Sequence, residues 1–247
     1  MSVKDYFSNH SKIYAAFRPV YPKALYDYIL PFVKEKDTAW DVATGNGQVA
    51  RVIAEHFERV HATDISKAQL ESAFQKNNIF YGVGRAEESG FSDHGIDLVT
   101  VGQALHWFNL DAFFSEARRA LKPNGIIAVW GYAILRISGD IDQHFMHFYN
   151  NIVGPYWDDA RKLVENEYAS IAFPFDELPA KQFEIVVEWN ADQFAGYLTS
   201  WSATQKFIRT HGFNPVEDFM RTLQPLWKRN ETKVVSFPVF LRLGKAH

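Results

Sequence analysis

The stretch Asp41-Val42-Ala43-Thr44-Gly45-Asn46-Gly47 constrains this chain more than any other. Ahead of it, Thr38-Ala39-Trp40 is short and mostly apolar, the pattern of a buried strand. Behind it, Gln48-Val49-Ala50-Arg51-Val52-Ile53-Ala54 carries apolar residues at helical spacing. Strand, tight glycine turn and helix in that order form a nucleotide-binding βα unit. Gly45 and Gly47 let the main chain approach a ligand that a Cβ would block.

Asp41 narrows the class of ligand. A turn that holds a pyrophosphate favours apolar residues up to its first glycine, because the ligand is itself anionic. A carboxylate at the carboxyl end of the strand suits positive charge instead, and S-adenosylmethionine carries both an ammonium and a sulfonium. Asp64 ends the second predicted strand, Arg59–Asp64, and its carboxylate is placed to accept both hydroxyls of an adenosine ribose. The competing reading makes Asp64 a helix N-terminal acid beside the Ser66 cap.

From Thr38 the chain alternates short strands with helical patterns. Strands are predicted at Ile79–Val83, Ile96–Val101 and Ile126–Trp130, and helices from Ser66 to about Lys76 and from Asp111 to Leu121. The last helix is expected to end in a turn at Lys122-Pro123-Asn124-Gly125. This rhythm predicts an α/β fold of Rossmann-like type, doubly wound around a mostly parallel sheet. Beyond Gly131 it changes. Residues 139–170 and 191–229 read as helical, Phe183–Trp189 as a strand, and Val234–Leu243 as a terminal strand in which Pro238 favours a bulge or an edge-like position. The expected organisation is one domain over 1–247. It comprises an aromatic helical lid (1–35), a cofactor-binding core (36–134), a helical cap with the sixth strand (135–232) and the terminal strand (233–247).

Composition excludes several chemistries. Without cysteine there is no disulfide, thiolate metal site or cysteine nucleophile. A formal net charge of −3 gives no general attraction to nucleic acid or anionic lipid. Met1-Ser2-Val3-Lys4-Asp5 does not open a secretory leader, and no apolar run is long enough to span a bilayer. The expectation is a soluble cytoplasmic protein that binds neither nucleic acid nor membrane; its oligomeric state is not legible.

Further candidates follow the later strands. Ala86 and Glu87 are placed to hold the adenine edge, or Glu87 is a solvated loop acid. Gln103 and Ala104 would line the methionine and sulfonium portion, with His106 and Trp107, the catalytic candidates, facing the methyl group or its acceptor, and His106 the base where the acceptor is a phenol, hydroxyl or amine. Alternatively Trp107 and Phe108 are core residues and His106 is a packed histidine. Arg18, beside Pro19, and Tyr21 are candidates for the cofactor carboxylate or an acidic substrate; a surface Arg18 stacked on Tyr21 is the rival reading. His144 and His147 stand near Asp140 and Asp142, but a metal site there lacks identifiable further ligands, so no metal is expected. Trp157, Trp189, Trp201 and Trp227 are expected to pack the cap, with one or two free to wall an acceptor pocket.

These residues resemble the class I S-adenosylmethionine-dependent methyltransferases, and among them the trans-aconitate methyltransferase-like group. The resemblance is carried by Tyr14–Pro22, Asp41–Gly47, Asp64, Ala86-Glu87, Gln103–Phe108, Leu121–Gly125 and Phe237–Leu243. It implies S-adenosyl-L-methionine as cofactor, held by Asp41, Ala43, Thr44, Gly45, Asn46, Gly47, Asp64, Ile65, Ala86, Glu87, Gln103 and Ala104. It further implies a seven-stranded sheet with the last strand antiparallel, an amino-terminal segment folded over the cofactor, and a small-molecule acceptor, for which a carboxylic acid is the family's suggestion. Ala43 and Asn124 depart from the pattern, each standing where glycine is usual. A nicotinamide-dependent oxidoreductase and a non-catalytic cofactor-binding protein are the alternatives. Asp41 argues against the first, and the intact Asp41, Gly45, Gly47 and Asp64 argue against the second.

Overall fold

A computed structural model describes residues 19–247. Most of the expected amino-terminal lid, including Arg18 and the Tyr14–Phe17 part of the family pattern, lies outside the described residues. The chain enters through Pro19–Pro22 into α1 (Lys23–Ile29) and a short 3-10 turn. It then alternates β1 (Thr38–Val42), α2 (Gln48–Ile53), β2 (Arg59–Asp64), α3 (Lys67–Glu71), β3 (Ile79–Val83), β4 (Ile96–Gly102), α4 (Leu110–Ala120) and β5 (Leu121–Tyr132). The second half adds α5 (Gly139–His147), α6 (Arg161–Glu165), β6 (Asp176–Leu178), β7 (Phe183–Asn190), α7 (Ala191–Thr199), α8 (Ser202–His211), α9 (Pro215–Leu223) and β8 (Thr232–Lys245).

The sheet runs β3-β2-β1-β4-β5-β8-β6, with β7 also paired to β8. Strands β1 to β5 are parallel to their neighbours, and β8 is antiparallel to β5. The expected seven positions are present, because β6 and β7 lie in succession along the same flank of β8. Chain order reverses between β1 and β4, the switch point at which doubly wound sheets bind ligands. Alternation along the strands feeds two apolar layers. On β5, Ile126, Ala128 and Trp130 face the layer of α1, α2, α5 and α7, while Ile127 and Val129 face α4 and Tyr168.

Several expected boundaries are corrected. α3 stops at Glu71 instead of Lys76, because Ser72 and Ala73 tighten into i→i−3 bonds and the Phe74 N–H is drawn to the Asn46 carbonyl. The expected turn at Lys122–Gly125 is a bulge inside β5: Leu121 already pairs with Ile96, and the ladder resumes at Ile126 opposite Leu98. The helical tract 139–170 breaks after α5 into a π turn (Phe148–Ile152) and a 3-10 turn (Gly154–Tyr156) at Gly154-Pro155. Residues 191–229 divide into α7, α8 and α9, with Gly212 left-handed at φ 77° ending α8 and Asn214 capping α9. Pro238 is not at an edge, since β8 lies between β5 and β7. Its carbonyl accepts from the Ala133 N–H, and a strand residue's two main-chain groups point the same way. The missing donor therefore faces the point where the chain leaves β5 and spares the β7 ladder.

The two departures from the family pattern share one conformation. Ala43 has φ 53° and Asn124 φ 64°, both in the left-handed region that glycine enters freely. Asn tolerates that region, whereas Ala there costs roughly 1–2 kcal/mol. Replacing Ala43→Gly is expected to raise stability by roughly 0.5–1 kcal/mol after the entropic cost of glycine, about 1–4 °C in melting temperature. A lower melting temperature in a thermal melt would contradict this.

Candidate active site

Asp41 and Thr100 are register partners on adjacent parallel strands, and both point beneath α2. The Asp41 carboxylate, 1% exposed, accepts from Thr100 Oγ1 at 2.8 Å, from Thr44 Oγ1 at 2.5 Å and from the Ala50 N–H at 3.2 Å. Ala50 is the third residue of α2, whose N-cap is Gly47 and has no side chain to cap with. Asp41 therefore supplies from β1 the cap that the glycine turn cannot. Burial is the main cause that raises its pKa from 3.8 to about 6, against the three hydrogen bonds that lower it.

The turn itself is tied to β2. Asp64 accepts from the Gly45 N–H at 2.9 Å and from the Ser66 N–H at 2.8 Å. Gly45 (φ 58°) and Gly47 (φ 82°) are both left-handed, and a Cβ at Gly47 would come within 2.3 Å of the Tyr81 hydroxyl. Asp64 thus holds the helix-entry position beside Ser66 and at the same time ties down the glycine turn. Ile65 follows it, 41% exposed at the strand tip. Glu87 is not a solvated acid: it accepts from the Asn109 N–H at 2.9 Å and pairs with Arg85 at 3.4 Å. Ala86 and Ala104 are buried in the α4 layer.

Two clefts open at the carboxyl ends of β1, β4 and β5. The first, of about 550 Å³, is lined by Pro19, Tyr21, Asp41, Ala43, Thr44, Gly45, Asn46, Gln48, Val49, Gly102, Gln103 and Tyr132. The second, of about 630 Å³, is lined by Gln103, His106, Trp107, Tyr132, Trp157, Asp158, Arg161, Tyr197, Trp201 and Ser202. Gln103 and Tyr132 belong to both. Gln103 is left-handed at φ 57°, its Oε1 accepts from the Tyr132 N–H at 2.7 Å, and its Nε2 donates to the Tyr132 carbonyl at 3.4 Å. Gly131 is required by close approach, since a Cβ there would lie 2.4 Å from Gln103 Oε1 and 2.6 Å from Phe240.

The predicted residues are brought together in part: Gly47, Asp64, Ile65, Ala86, Glu87 and Ala104 line neither cleft. Asp41, Ala43–Asn46, Gln103 and Tyr21 line the first cleft, His106 and Trp107 the second. Phe108 is half-buried, packed on Phe113 at the edge of the core, and Tyr21 packs edge-on against Trp130. Of the four cap tryptophans, Trp157 and Trp201 wall the second cleft, while Trp189 and Trp227 belong to the core. His144 and His147 lie on the exposed face of α5. The carboxylates Glu35, Asp37 and Asp97 do converge, but the Lys122 ammonium sits 2.7–3.0 Å from all three. Sequence reasoning missed Tyr132 at the end of β5, Arg161 at the start of α6, Tyr168 just beyond α6 and Tyr197 within α7.

Residues 40–129 match the methyltransferase domain family. A methyltransferase of Dictyostelium discoideum is 33% identical over 98% of this chain and 95% of its own length. The structure of a type II methyltransferase from Anaeromyxobacter dehalogenans superposes with a TM-score of 0.85 at 34% identity, covering 94% of this chain and all of that one. Methyltransferase cfoB of Aspergillus candidus is 27% identical over 76% of this chain and 66% of its own.

The chain belongs to the class I S-adenosylmethionine-dependent methyltransferases.

Its cofactor is S-adenosylmethionine, and these relatives favour neither an oxidoreductase nor a binding-only protein. The first cleft fits that cofactor's charge: it combines a glycine turn with a buried carboxylate and carries no basic side chain among its described lining residues. No helix among the described residues is long and apolar enough to cross a membrane.

The raised pKa of Asp41 makes stability depend on pH. The folded protein holds this proton more tightly than the unfolded chain, so the contribution is complete below about pH 4 and is lost as pH rises through about 6. The difference amounts to about 3 kcal/mol. In Asp41→Asn the amide oxygen can keep Thr44 and Ala50 while the NH2 donates to Thr100. Chemical denaturation between pH 4 and 7 is expected to show the wild type losing up to about 3 kcal/mol relative to this variant. Parallel pH profiles would contradict the assignment.

Proposed function

We propose that this enzyme methylates a small carboxylic acid, with the cofactor in the first cleft and the acceptor in the second. The observation that carries the reading is that the two clefts meet at Gln103 and Tyr132, so one molecule in each would touch at that point. When bound, S-adenosylmethionine supplies an electrophilic methyl group on a sulfonium. In this reading Asp41 and the Ala43–Gly47 turn bind its methionine end, Asp64 and Ile65 the ribose and adenine, and Ala86 and Glu87 the adenine edge. Gln103 and Ala104 lie alongside the sulfonium, and Tyr21 closes the cleft over it. Residues 135–232 form the cap over the acceptor.

The acceptor class is supported by Arg161. Its guanidinium lies over Trp157 at 5.0 Å and Tyr149 at 5.8 Å, and its Nε donates to the Tyr149 hydroxyl at 2.9 Å. It forms no ion pair among the described residues, whereas the other charged lining residue, Asp158, is paired with Lys206 at 2.7 Å. A half-buried cation that forms no direct ion pair, linked to Glu165 only through the Tyr149 hydroxyl and walled by aromatic rings, suits a flat anion. A carboxylate is ionised at neutral pH and attacks the methyl carbon in line without a base to deprotonate it. His106 and Trp107 then shape the chamber and orient the acceptor.

The test is a thermal-shift titration with S-adenosylhomocysteine followed by a labelled-methyl assay over carboxylic acids, phenols and amines. Stabilisation by S-adenosylhomocysteine and turnover of acids are expected. Arg161→Met is expected to raise KM for the best acid roughly 10- to 100-fold, the loss of a charge-assisted pair, with the S-adenosylhomocysteine shift unchanged. Turnover of phenols or amines to the exclusion of acids would overturn the acceptor class.

A further inference from the structure

His106 enters the chamber with one ring nitrogen already committed. Its Nδ1 lies 2.9 Å from the hydroxyl of Tyr168, a residue 62 positions further along the chain. Tyr168 is fully buried, its ring edge-on to Phe240 at 5.2 Å. Glu167 (φ 51°) and Tyr168 (φ 58°) are consecutive non-glycine residues in the left-handed region, a conformation costing roughly 1–2 kcal/mol per residue. The strain is held from β8: Arg242 donates to the Tyr168 carbonyl at 3.0 Å and to the Ile171 carbonyl at 2.6 Å. Strain maintained by surrounding structure concentrates where a side chain must be aimed, and here it aims a phenol at an imidazole.

The direction of that hydrogen bond follows from what surrounds the phenol oxygen. The main-chain N–H groups of His106 and Leu105 act on the same oxygen, and burial keeps the phenol protonated by raising its pKa. Among the described residues, the acceptor in place for its hydrogen is His106 Nδ1. A buried O–H without an acceptor would cost roughly 1–3 kcal/mol. Nδ1 therefore accepts, and in the neutral ring Nε2 must carry the hydrogen.

We propose that Tyr168 is a positioning residue that locks His106 in its Nε2–H tautomer, so that His106 serves the reaction as a hydrogen-bond donor to the acceptor's carboxylate and not as a base. This role rests on the carboxylic acid reading; the tautomer does not. A donor on the imidazole, together with the Arg161 cation, gives the chamber two groups that favour an anion. Neither can take up the proton that a hydroxyl or amine acceptor must lose.

Long-range 1H–15N correlation of the imidazole in the wild-type protein at about pH 8 reads the tautomer directly, without cofactor or acceptor. The expected result is Nε2–H for His106 in the wild type and a mixture of tautomers in Tyr168→Phe. A wild-type Nδ1–H ring, or an unchanged Nε2–H ring in Tyr168→Phe, would overturn the lock; the wild-type spectrum decides the tautomer even if the variant does not fold. With the acid turned over fastest in the panel, His106→Gln, whose amide donates but cannot act as a base, is expected to keep kcat within about threefold. His106→Ala is expected to raise KM by about tenfold. A kcat in His106→Gln reduced by about 10²-fold or more would overturn the donor role, whatever the tautomer. Failure of every acid in the panel alongside an Nε2–H spectrum would overturn the acceptor class and the donor role built on it, and leave the lock standing.

Discussion

A single buried carboxylate organises the cofactor end of this fold. Asp41 bonds across the register to Thr100 on β4, forward to Thr44 in the turn and up to the Ala50 amide of α2. Those three bonds join the two strands at the switch point to the helix whose amino end the turn leaves uncapped. The same group lines the first cleft. One negative charge thus both fixes the glycine turn and gives the cleft its sign. Burial opposes that charge, and a bound cation would relieve the opposition.

The neighbouring chamber depends on a second exchange of main-chain and side-chain bonds. Gln103 pairs with both peptide groups of Tyr132 where β5 ends, and Gly131 leaves room for the Gln103 amide against Phe240. The partition between the clefts is therefore a rigid hydrogen-bonded contact between the β4 loop and β5. Ala43 in the turn, Gln103 at the partition and Glu167-Tyr168 behind His106 are non-glycine residues with left-handed backbone, while His94 and Asn124 share that conformation away from the clefts. Each is held by neighbours that a freely folding loop would lack.

The cofactor half was legible because its signals are local. Buried parallel strands read as short apolar runs, and the ends of β2 and β3 fall where periodicity placed them, at Asp64 and Val83. The candidate acids Asp41, Asp64 and Glu87 were identifiable by position, but their internal bonds were not. The Asp41–Thr100 contact exists only through strand register, and the Glu87–Asn109 contact only through the packing of two loops. The second cleft was less legible for a related reason. Trp157, Arg161 and Tyr168 lie in a tract where a π turn, a 3-10 turn and a one-turn helix succeed one another, and no period survives there. Trp201 and Tyr197 reach the same cavity from α7 and the junction that follows it, which depends on how the cap packs. Pro238 misled for the opposite reason: the missing donor suggested an edge, while the end of β5 at Tyr132 supplied one locally.

The central claim is that Asp41 carries the charge that meets the cofactor. Titration calorimetry of S-adenosylmethionine near pH 6, repeated in buffers of different ionisation enthalpy, measures the protons exchanged on binding. A cation bound beside a carboxyl with a pKa of about 6 should drive proton release from the wild type that disappears, together with much of the affinity, in Asp41→Asn. Binding with no proton exchange in the wild type, or with equal affinity in the variant, would contradict it.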